Sequence, residues 1–480
     1  MVPENLRFGG GAAGSVLSPI VAVMLAIAIV LIFVLPRKWA IAPFLIAFFS
    51  IPIDEVLVVG GVHFTALRLL ILAVLARRLT FPRSSKYPGG MNRIDWVVIL
   101  WSISAAVAFF LEFPGTPALV QGLGDILDTM GGYLAVRCLV SDGEGVRYTI
   151  KTLAIICAIQ GVCMLNEQIS HVNIFDALAG LPTLVQYKNG HIRSQGTLGS
   201  IAAGAFSGVL IPLFIWQWSE KKARLVAIVG LTGAALIVFT SYSSTSQFAL
   251  MGSIVGLGLW RLRTKMRQLR WALVSVLVGL NMVMKAPVWA LIARVDLTGS
   301  STSYQRYQLI DMTIRHFWMW WLIGTPDYVN WGWDSWDLCN QFAAVALTGG
   351  LLTLILYIWI FKSGFASLGN ARKRVEGDKR QEWLIWCFGS ALFATVVAHF
   401  GINYMAQLIM GFFSLIVCIS VVSFEAKEAT EGAAVPAKVR FEWAPLDTVG
   451  DSPVPEAPIM VQNDSHNNRR KKPLGPWLNA

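Results

Sequence analysis

Apolar runs separated by short polar stretches recur along almost the whole chain. Most runs approach the roughly 20 residues that an α-helix needs to cross about 30 Å of hydrocarbon. Backbone N–H and C=O groups in lipid must form their hydrogen bonds within their own segment. Runs of this length therefore predict an all-α, polytopic membrane helix bundle. The predicted spans are Val16–Leu35, Trp39–Ile53, Thr65–Leu79, Ile94–Phe110, Leu119–Leu139, Ile150–Ile169, Thr197–Trp218, Arg224–Thr240, Phe248–Trp260, Trp271–Val288, Gln341–Phe361, Trp383–Gly401 and Met405–Phe424.

The pattern predicts thirteen spans, and twelve is the alternative because the second and third are short. One polar stretch, Met284–Asn340, is far longer than the others and predicts a large extracytoplasmic loop. It separates the N-terminal transmembrane helices (residues 1–283) from the C-terminal ones (residues 341–424). From Glu425 the composition turns to Glu, Ala, Pro, Asn and Lys, which predicts a disordered cytoplasmic tail over residues 425–480.

Composition excludes a soluble fold, because 55% of the residues are hydrophobic, only 14% are charged, and the mean hydropathy is +0.59. The net charge of +11 is concentrated in loops that alternate between the two ends of the predicted spans. This positive-inside pattern predicts an outward N-terminus and a cytoplasmic C-terminus, and it accounts for the basic runs without a nucleic-acid partner. The basic loops are residues 77–93, 221–224, 261–270 and 362–380.

The six cysteines show no CxxC or Cys/His ligand spacing, so they predict neither disulfides nor a metal site. Nothing else in the chain calls for a cofactor. The first span lacks the basic start and small-residue cleavage site of a signal peptide, so we expect it to be retained.

Arg193 lies directly before the seventh predicted span. A position at a helix N-terminus, where free N–H groups and the macrodipole favour an anion, makes Arg193 a candidate phosphate ligand. Gly196 is expected to let the backbone approach that ligand closely. The alternative is an interfacial arginine that reaches lipid headgroups.

The large loop is rich in tryptophan and arginine. Trp faces stack on sugar rings or lie at the membrane interface, and the arginine fork binds phosphate bidentately. We place Arg306 in the first turn of a helix. An amphipathic helix lying flat on the bilayer is the alternative, and it explains Arg306 less well. The candidate sugar-binding residues of the loop are Tyr304, Trp331, Trp333 and Trp336.

The loop ends at Asp337 and Asn340, which are three positions apart and are predicted to share one face of the helix that begins there. The Asp337 carboxylate is a candidate proton acceptor for an attacking hydroxyl, with a helix cap as the alternative.

Polar side chains inside predicted spans are functional candidates by default, and Arg68 and His399 are two of them. The pair Asp125 and Asp128 shares one face of the fifth span. A structural Asp–Arg pair within the bundle is an equally economical explanation for these charges.

Four features occur in an order that resembles the O-antigen ligase and polysaccharide polymerase superfamily of bacterial envelopes. The resemblance covers roughly residues 190–365. Its features are an outward Arg-x-x-Gly (Arg193 to Gly196), a hydroxyl-rich break (Ser241–Ser246), a Ser-x-x-Arg (Ser303 to Arg306), and an Asn that leads into a Gly-Gly span (Asn340, Gly349, Gly350).

The resemblance implies a GT-C-like, metal-independent glycosyltransferase of the bacterial cytoplasmic (inner) membrane that uses polyprenyl-diphosphate-linked oligosaccharides. It implies that Arg193 and Arg306 bind the diphosphate. The family's usual His before the loop-ending Asn is replaced by Cys339, so Asp337 is the nearest ionisable group. This departure favours a polymerase of O-antigen or exopolysaccharide over a ligase.

This interpretation suggests two further kinds of partner: membrane lipids and other polysaccharide export or biosynthesis proteins. Three alternatives stay open: a ligase with a lipid or protein acceptor, a lipid-linked-sugar flippase or transporter, and a scaffold for an export complex. A transporter is expected to show charged residues at mid-depth in several spans and inverted repeats.

Overall fold

Helices account for nearly all of the regular structure in the computed structural model, which describes residues 15–53, 55–59, 62–81, 90–180, 185–294, 302–332 and 335–433. The helices are α1 (Pro19–Val34), α2 (Arg37–Ser50), α3 (Ala66–Thr80), α4 (Arg93–Glu112), α5 (Thr116–Ile126), α6 (Gly132–Leu139), α7 (Gly143–Ser170), α8 (Ile174–Ala179), α9 (Ser200–Ser219), α10 (Arg224–Thr240), α11 (Ser244–Gly258), α12 (Met266–Val283), α13 (Leu291–Arg294), α14 (Thr302–Arg315), α15 (Phe317–Trp320), α16 (Gln341–Arg374), α17 (Lys379–His399) and α18 (Ala406–Ala433).

Each predicted span falls on one of these helices, except that the fifth is divided by a π-helical turn, Leu127–Gly131, between α5 and α6. Within the described residues, seven helical segments are long and apolar enough to cross a membrane: α4, α7, α9, Lys221–Thr240, α16, α17 and Gln407–Ala429. The prediction of an all-α polytopic membrane protein is therefore confirmed. The count of twelve or thirteen spans stays a prediction.

The helix boundaries follow from capping residues. Asn92 and Asp95 form a capping box at the start of α4. The side chains of Asp142, Asn340 and Asp378 accept hydrogen bonds from the first backbone N–H groups of α7, α16 and α17. At the other end of the chain, α18 continues to Ala433, so the predicted tail does not begin at Glu425. Residues 434–480 lie outside the described residues.

Two short antiparallel hairpins interrupt the helices. Strands β1 (Val56–Val59) and β2 (Val62–Thr65) connect α2 to α3. Strands β3 (Gln186–Lys188) and β4 (His191–Arg193) precede α9, in a register that pairs Tyr187 with Ile192. Both hairpins lie at the end of the bundle where α16 begins and α17 ends.

Small residues let the central helices approach closely. A Cβ added to Gly161 of α7 would lie 2.7 Å from the carbonyl oxygen of Gly233 on α10, so the two backbones are nearly in contact there. Helix α18 is buried along most of its length. By contrast, every residue from 271 to 283 of α12 is exposed.

The opposite end of the bundle carries three of the basic loops, residues 221–224, 261–270 and 362–380, and ion pairs that connect them. Arg263 lies 3.2 Å from Glu382, and Glu220 pairs with both Arg147 (3.5 Å) and Arg380. The basic loops 221–224, 261–270 and 362–380 therefore gather at one end, away from the hairpins. That this end faces the cytoplasm, and that the loop of residues 284–340 lies outside, stay predictions from the charge pattern.

Candidate functional site

A buried, hydroxyl-rich turn is formed by residues 241–246, which link α10 to α11 and include the first three residues of α11. Helix α10 ends at Thr240, Ser243 adopts an extended conformation, and α11 begins at Ser244. The Ser241 hydroxyl donates to Ser246 Oγ at 3.0 Å, within a turn whose serine and threonine side chains are shielded from solvent. A Cβ on Gly204 of α9 would collide with Ser246 Oγ, so that glycine is what lets α9 pack against the turn.

Arg306 of the large loop reaches this turn. It lies near the start of α14, as predicted, and is 6% exposed. Its Nη2 donates to Thr245 Oγ1 at 2.8 Å, and the same hydroxyl donates to the carbonyl oxygen of Gly401 at 3.0 Å, just after α17. Thr245 therefore connects the arginine to the main chain of a third element.

Arg193 approaches the same turn from another direction. Its Nε lies 3.5 Å from the carbonyl oxygen of Ser241, at the long limit of a hydrogen bond. The next residue, Ser194, donates its backbone N–H to the Thr240 carbonyl at 3.1 Å and fixes β4 against the end of α10. Partial burial lowers the pKa of Arg193. Two arginines from distant parts of the sequence thus converge on residues 241–246.

The predicted surroundings of Arg193 are wrong in one respect. We expected the arginine at a helix N-terminus, but it ends strand β4, and α9 begins only at Ser200. An anion bound here would therefore interact with the Arg193 guanidinium rather than with the N-terminus of a helix.

Gly196 is enclosed in the connection between β4 and α9. Its φ of +57° suits glycine, and a Cβ there would lie 2.6 Å from Gln160 Oε1. The Gly196 N–H donates to Glu167 at 3.1 Å, and its carbonyl accepts from Asn173 at 2.7 Å. Gly196 is thus surrounded by protein groups. Its position does not support the expectation that a ligand approaches its backbone closely.

Glu167 was not singled out from the sequence, although it fixes the same connection. Its carboxylate accepts from the Gln195 N–H at 2.9 and 3.0 Å as well as from Gly196, and it is 4% exposed. The sequence signal for this role of Glu167 was only its position near the end of an apolar helix. Because Gln195 is two residues from Arg193, this carboxylate helps to set where Arg193 lies.

The large loop is joined to α16 through backbone hydrogen bonds. Gly350 interrupts the helix with a φ of +76°. Backbone groups of the loop supply hydrogen bonds that the helix lacks at this break. The Thr325 N–H donates to the Leu347 carbonyl, and the Leu351 N–H donates to the Trp321 carbonyl, both at 2.8 Å. Leu309 and Trp320 of the loop also pack against the Ala343–Leu347 face of α16. The loop that carries Arg306 is therefore fixed to a long helix.

The predicted sugar-binding aromatic residues of the loop have different surroundings. Tyr304 is 60% exposed and Trp336 is 66% exposed. Trp331 is half-buried and stacks on His316, with ring centroids 4.4 Å apart. Trp333 lies outside the described residues.

Asn340 and Asp337 do not share a helical face as predicted. Helix α16 begins at Gln341, and the Asn340 side chain caps it by accepting from the N–H groups of Phe342 and Ala343, so Asn340 is a buried cap rather than a ligand-facing amide. Asp337 lies before the helix and is exposed.

Cys339 lies near the charges of both Asp337 and Arg306. Burial and, to a lesser degree, the nearby Asp337 carboxylate raise the pKa of its thiol to about 11, and the Arg306 guanidinium opposes the rise. The exposed Asp337 carboxylate and the buried Arg306 guanidinium therefore both lie near the Cys339 thiol.

Two further candidates are engaged within the bundle. Arg68 donates to Asp128 through Nε (3.0 Å) and Nη2 (2.8 Å), with Asp125 at 3.8 Å. His399 is fully buried, and its Nε2 lies 2.8 Å from the Tyr357 hydroxyl within an aromatic cluster. Both are better explained as parts of the helix packing than as substrate ligands.

Among the residues that the structure describes, no group of three or more His, Cys, Asp and Glu side chains is arranged to hold a metal ion. Comparison of the chain with protein-family models and with curated proteins finds no match. The functional assignment therefore rests on the residues of this chain.

Proposed function

We propose that this chain is a glycosyltransferase of the bacterial cytoplasmic membrane that polymerises polyprenyl-diphosphate-linked oligosaccharide units on the outer face. The observation that carries the proposal is the convergence of Arg193 and Arg306 on the buried turn of residues 241–246. Two guanidinium groups held on a rigid scaffold suit a ligand with two adjacent phosphates.

In the proposed reaction, a hydroxyl of one sugar attacks the anomeric carbon of a second unit. A new C–O glycosidic bond forms, the C–O bond to the diphosphate breaks, and polyprenyl diphosphate leaves. Arg193 and Arg306 offset the negative charge that grows on the diphosphate, where preorganised donors in a site shielded from water act most strongly. Asp337 is exposed and, like Arg306, lies near Cys339, and in this proposal it accepts the proton of the attacking hydroxyl.

Replacement of each arginine by lysine tests the proposal. Lysine keeps the charge and loses the bidentate fork, so Arg193→Lys and Arg306→Lys are each expected to lower turnover by about 10²–10³. The measurement is the amount and length of polymer in a deletion strain that carries each variant. Arg315→Lys is the matched control, because Arg315 lies on the same helix and its side chain is 67% exposed and paired with Asp311.

The lipid-linked material that accumulates separates the possible activities. Single lipid-linked units should accumulate if the chain is a polymerase. Accumulation of lipid-linked polymer would instead indicate a ligase. Wild-type polymer from both arginine variants, at normal abundance in the membrane, would exclude the diphosphate role.

A further inference from the structure

Tyr242 has an unusual backbone conformation at the centre of the candidate site. Its φ is +42°, a left-handed value that bulky side chains rarely adopt. It directly follows Ser241, whose carbonyl oxygen faces Arg193. Strained backbone of this kind persists where the surrounding structure imposes it, and it is enriched at ligand sites.

The ring of Tyr242 packs on the ring of His191, with centroids 4.5 Å apart and planes inclined by 32°. His191 and Arg193 are the first and third residues of β4, so their side chains leave the strand on the same face. Strand β4 therefore aligns His191 with Tyr242 and Arg193 with Ser241. The two contacts are about 7 Å apart along the strand, which is the rise of two residues.

This arrangement puts an aromatic pair beside a phosphate-binding arginine. His191 is exposed and Tyr242 is half-buried, so the pair borders the outer end of the bundle. The loop aromatic residues are less suitable neighbours for a diphosphate, because Trp331 already stacks on His316 and Trp336 is largely exposed.

We propose that Tyr242, supported by His191, is the binding subsite for the sugar ring attached directly to the diphosphate. The inference rests on the proposed function, since it takes Arg193 to hold the phosphate that carries this sugar. The apolar C–H face of the sugar would lie against the tyrosine ring, and the strained backbone holds that ring in place.

Binding of two probes to the purified full-length protein tests the subsite. One probe is polyprenyl diphosphate, and the other is polyprenyl diphosphate that bears a single N-acetylglucosamine. Tyr242→Asn removes the ring while keeping a residue that tolerates positive φ. We expect it to weaken the binding of the sugar-bearing probe by about twofold to tenfold and to leave the bare diphosphate unaffected.

Two further variants complete the test. Tyr242→Phe restores the ring and should restore the preference for the sugar-bearing probe. Tyr187→Leu is the matched control, because Tyr187 is an exposed tyrosine of the same hairpin that pairs with Ile192 and so lies on the opposite face from His191. It should alter the binding of neither probe.

The outcomes distinguish this inference from the function on which it rests. If Tyr242→Asn binds both probes as the wild type does, the sugar subsite is excluded while the diphosphate site stands. If Tyr242→Phe loses as much affinity as Tyr242→Asn, ring stacking is excluded. If Arg193→Lys and Arg306→Lys bind the bare diphosphate as well as the wild type, the proposed function itself fails.

Discussion

The hydroxyl of Thr245 is expected to determine how well Arg306 works. It accepts the hydrogen bond from Arg306 Nη2 and passes a second bond to Gly401, and all three groups are shielded from solvent. Thr245→Val keeps the shape of the side chain and removes both bonds. Leaving a buried donor without its acceptor costs about 1–3 kcal/mol. If the activation free energy rises by this amount, turnover slows between about fivefold and about 150-fold.

The measurement is the initial rate of polymer formation from lipid-linked units by the purified protein. If Arg306 acts on the leaving diphosphate in the transition state, the loss appears mainly in kcat rather than in KM. Thr245→Ser keeps the hydroxyl and should recover most of the rate. Thr240→Val is the matched control, because the Thr240 hydroxyl lies at the edge of the same turn and bonds back to Leu236 of its own helix.

Two results would refute this reasoning. Wild-type turnover in Thr245→Val would show that the hydrogen bond does not position Arg306. Equal impairment of Thr245→Ser and Thr245→Val would show that the methyl group, and hence packing, matters rather than the hydroxyl.

Three other predictions concern the loop and its orientation. Gly350→Ala should lower the unfolding temperature and slow turnover, because a Cβ at this φ of +76° would meet the loop backbone. Gly369→Ala is the control and should be tolerated, because the space around Gly369 is open. Thermal unfolding of both variants tests this prediction. The Cys339 thiol, with its pKa near 11, should react with iodoacetamide at pH 8 roughly a hundredfold more slowly than an exposed thiol, and faster as pH rises. In intact cells, an impermeant maleimide should label a cysteine introduced at Asp327 but not one at Val454; the reverse result would invert the topology.

The apolar helices could be predicted from the sequence because lipid imposes a simple rule on them. A run of apolar residues long enough to span has few folded alternatives, and all predicted spans are helical. The position of Arg306 near the start of α14 also followed from local pattern. Local rules suffice where a segment satisfies its own hydrogen bonds.

The strand that carries Arg193 could not be predicted in the same way. Residues 186–193 have no strong alternation of apolar and polar side chains, and their two-stranded pairing gains its support from the Thr240 carbonyl and the Glu167 carboxylate. Those partners are distant in sequence, so the connection looked like the approach to a helix. The local signal that could have revealed the hairpin is Asn189-Gly190, whose φ values of +51° and +78° suit the two-residue turn between β3 and β4.

Polar residues inside apolar segments posed a different difficulty. Sequence alone could not distinguish a ligand from a packed pair, since both place a charge within a span. Arg68 proved to be paired with Asp128, and His399 with Tyr357. Conversely, Thr245 resembled any hydroxyl of a short connection, and only its contact with Arg306 identified it.

Arg306 and its loop are held by contacts with elements other than the helix that precedes the loop. Residues 271–283 of α12 are exposed throughout, so they provide little that would hold the loop in place. The loop is instead fixed from its far end, where Thr325 and Trp321 complete the hydrogen bonding of α16 around Gly350, and from the Thr245 hydroxyl. Because α16 contacts α17 and α18 in the core of the bundle, the rigid scaffold extends to the arginine itself. A fixed guanidinium of this kind is what electrostatic stabilisation of a leaving diphosphate requires.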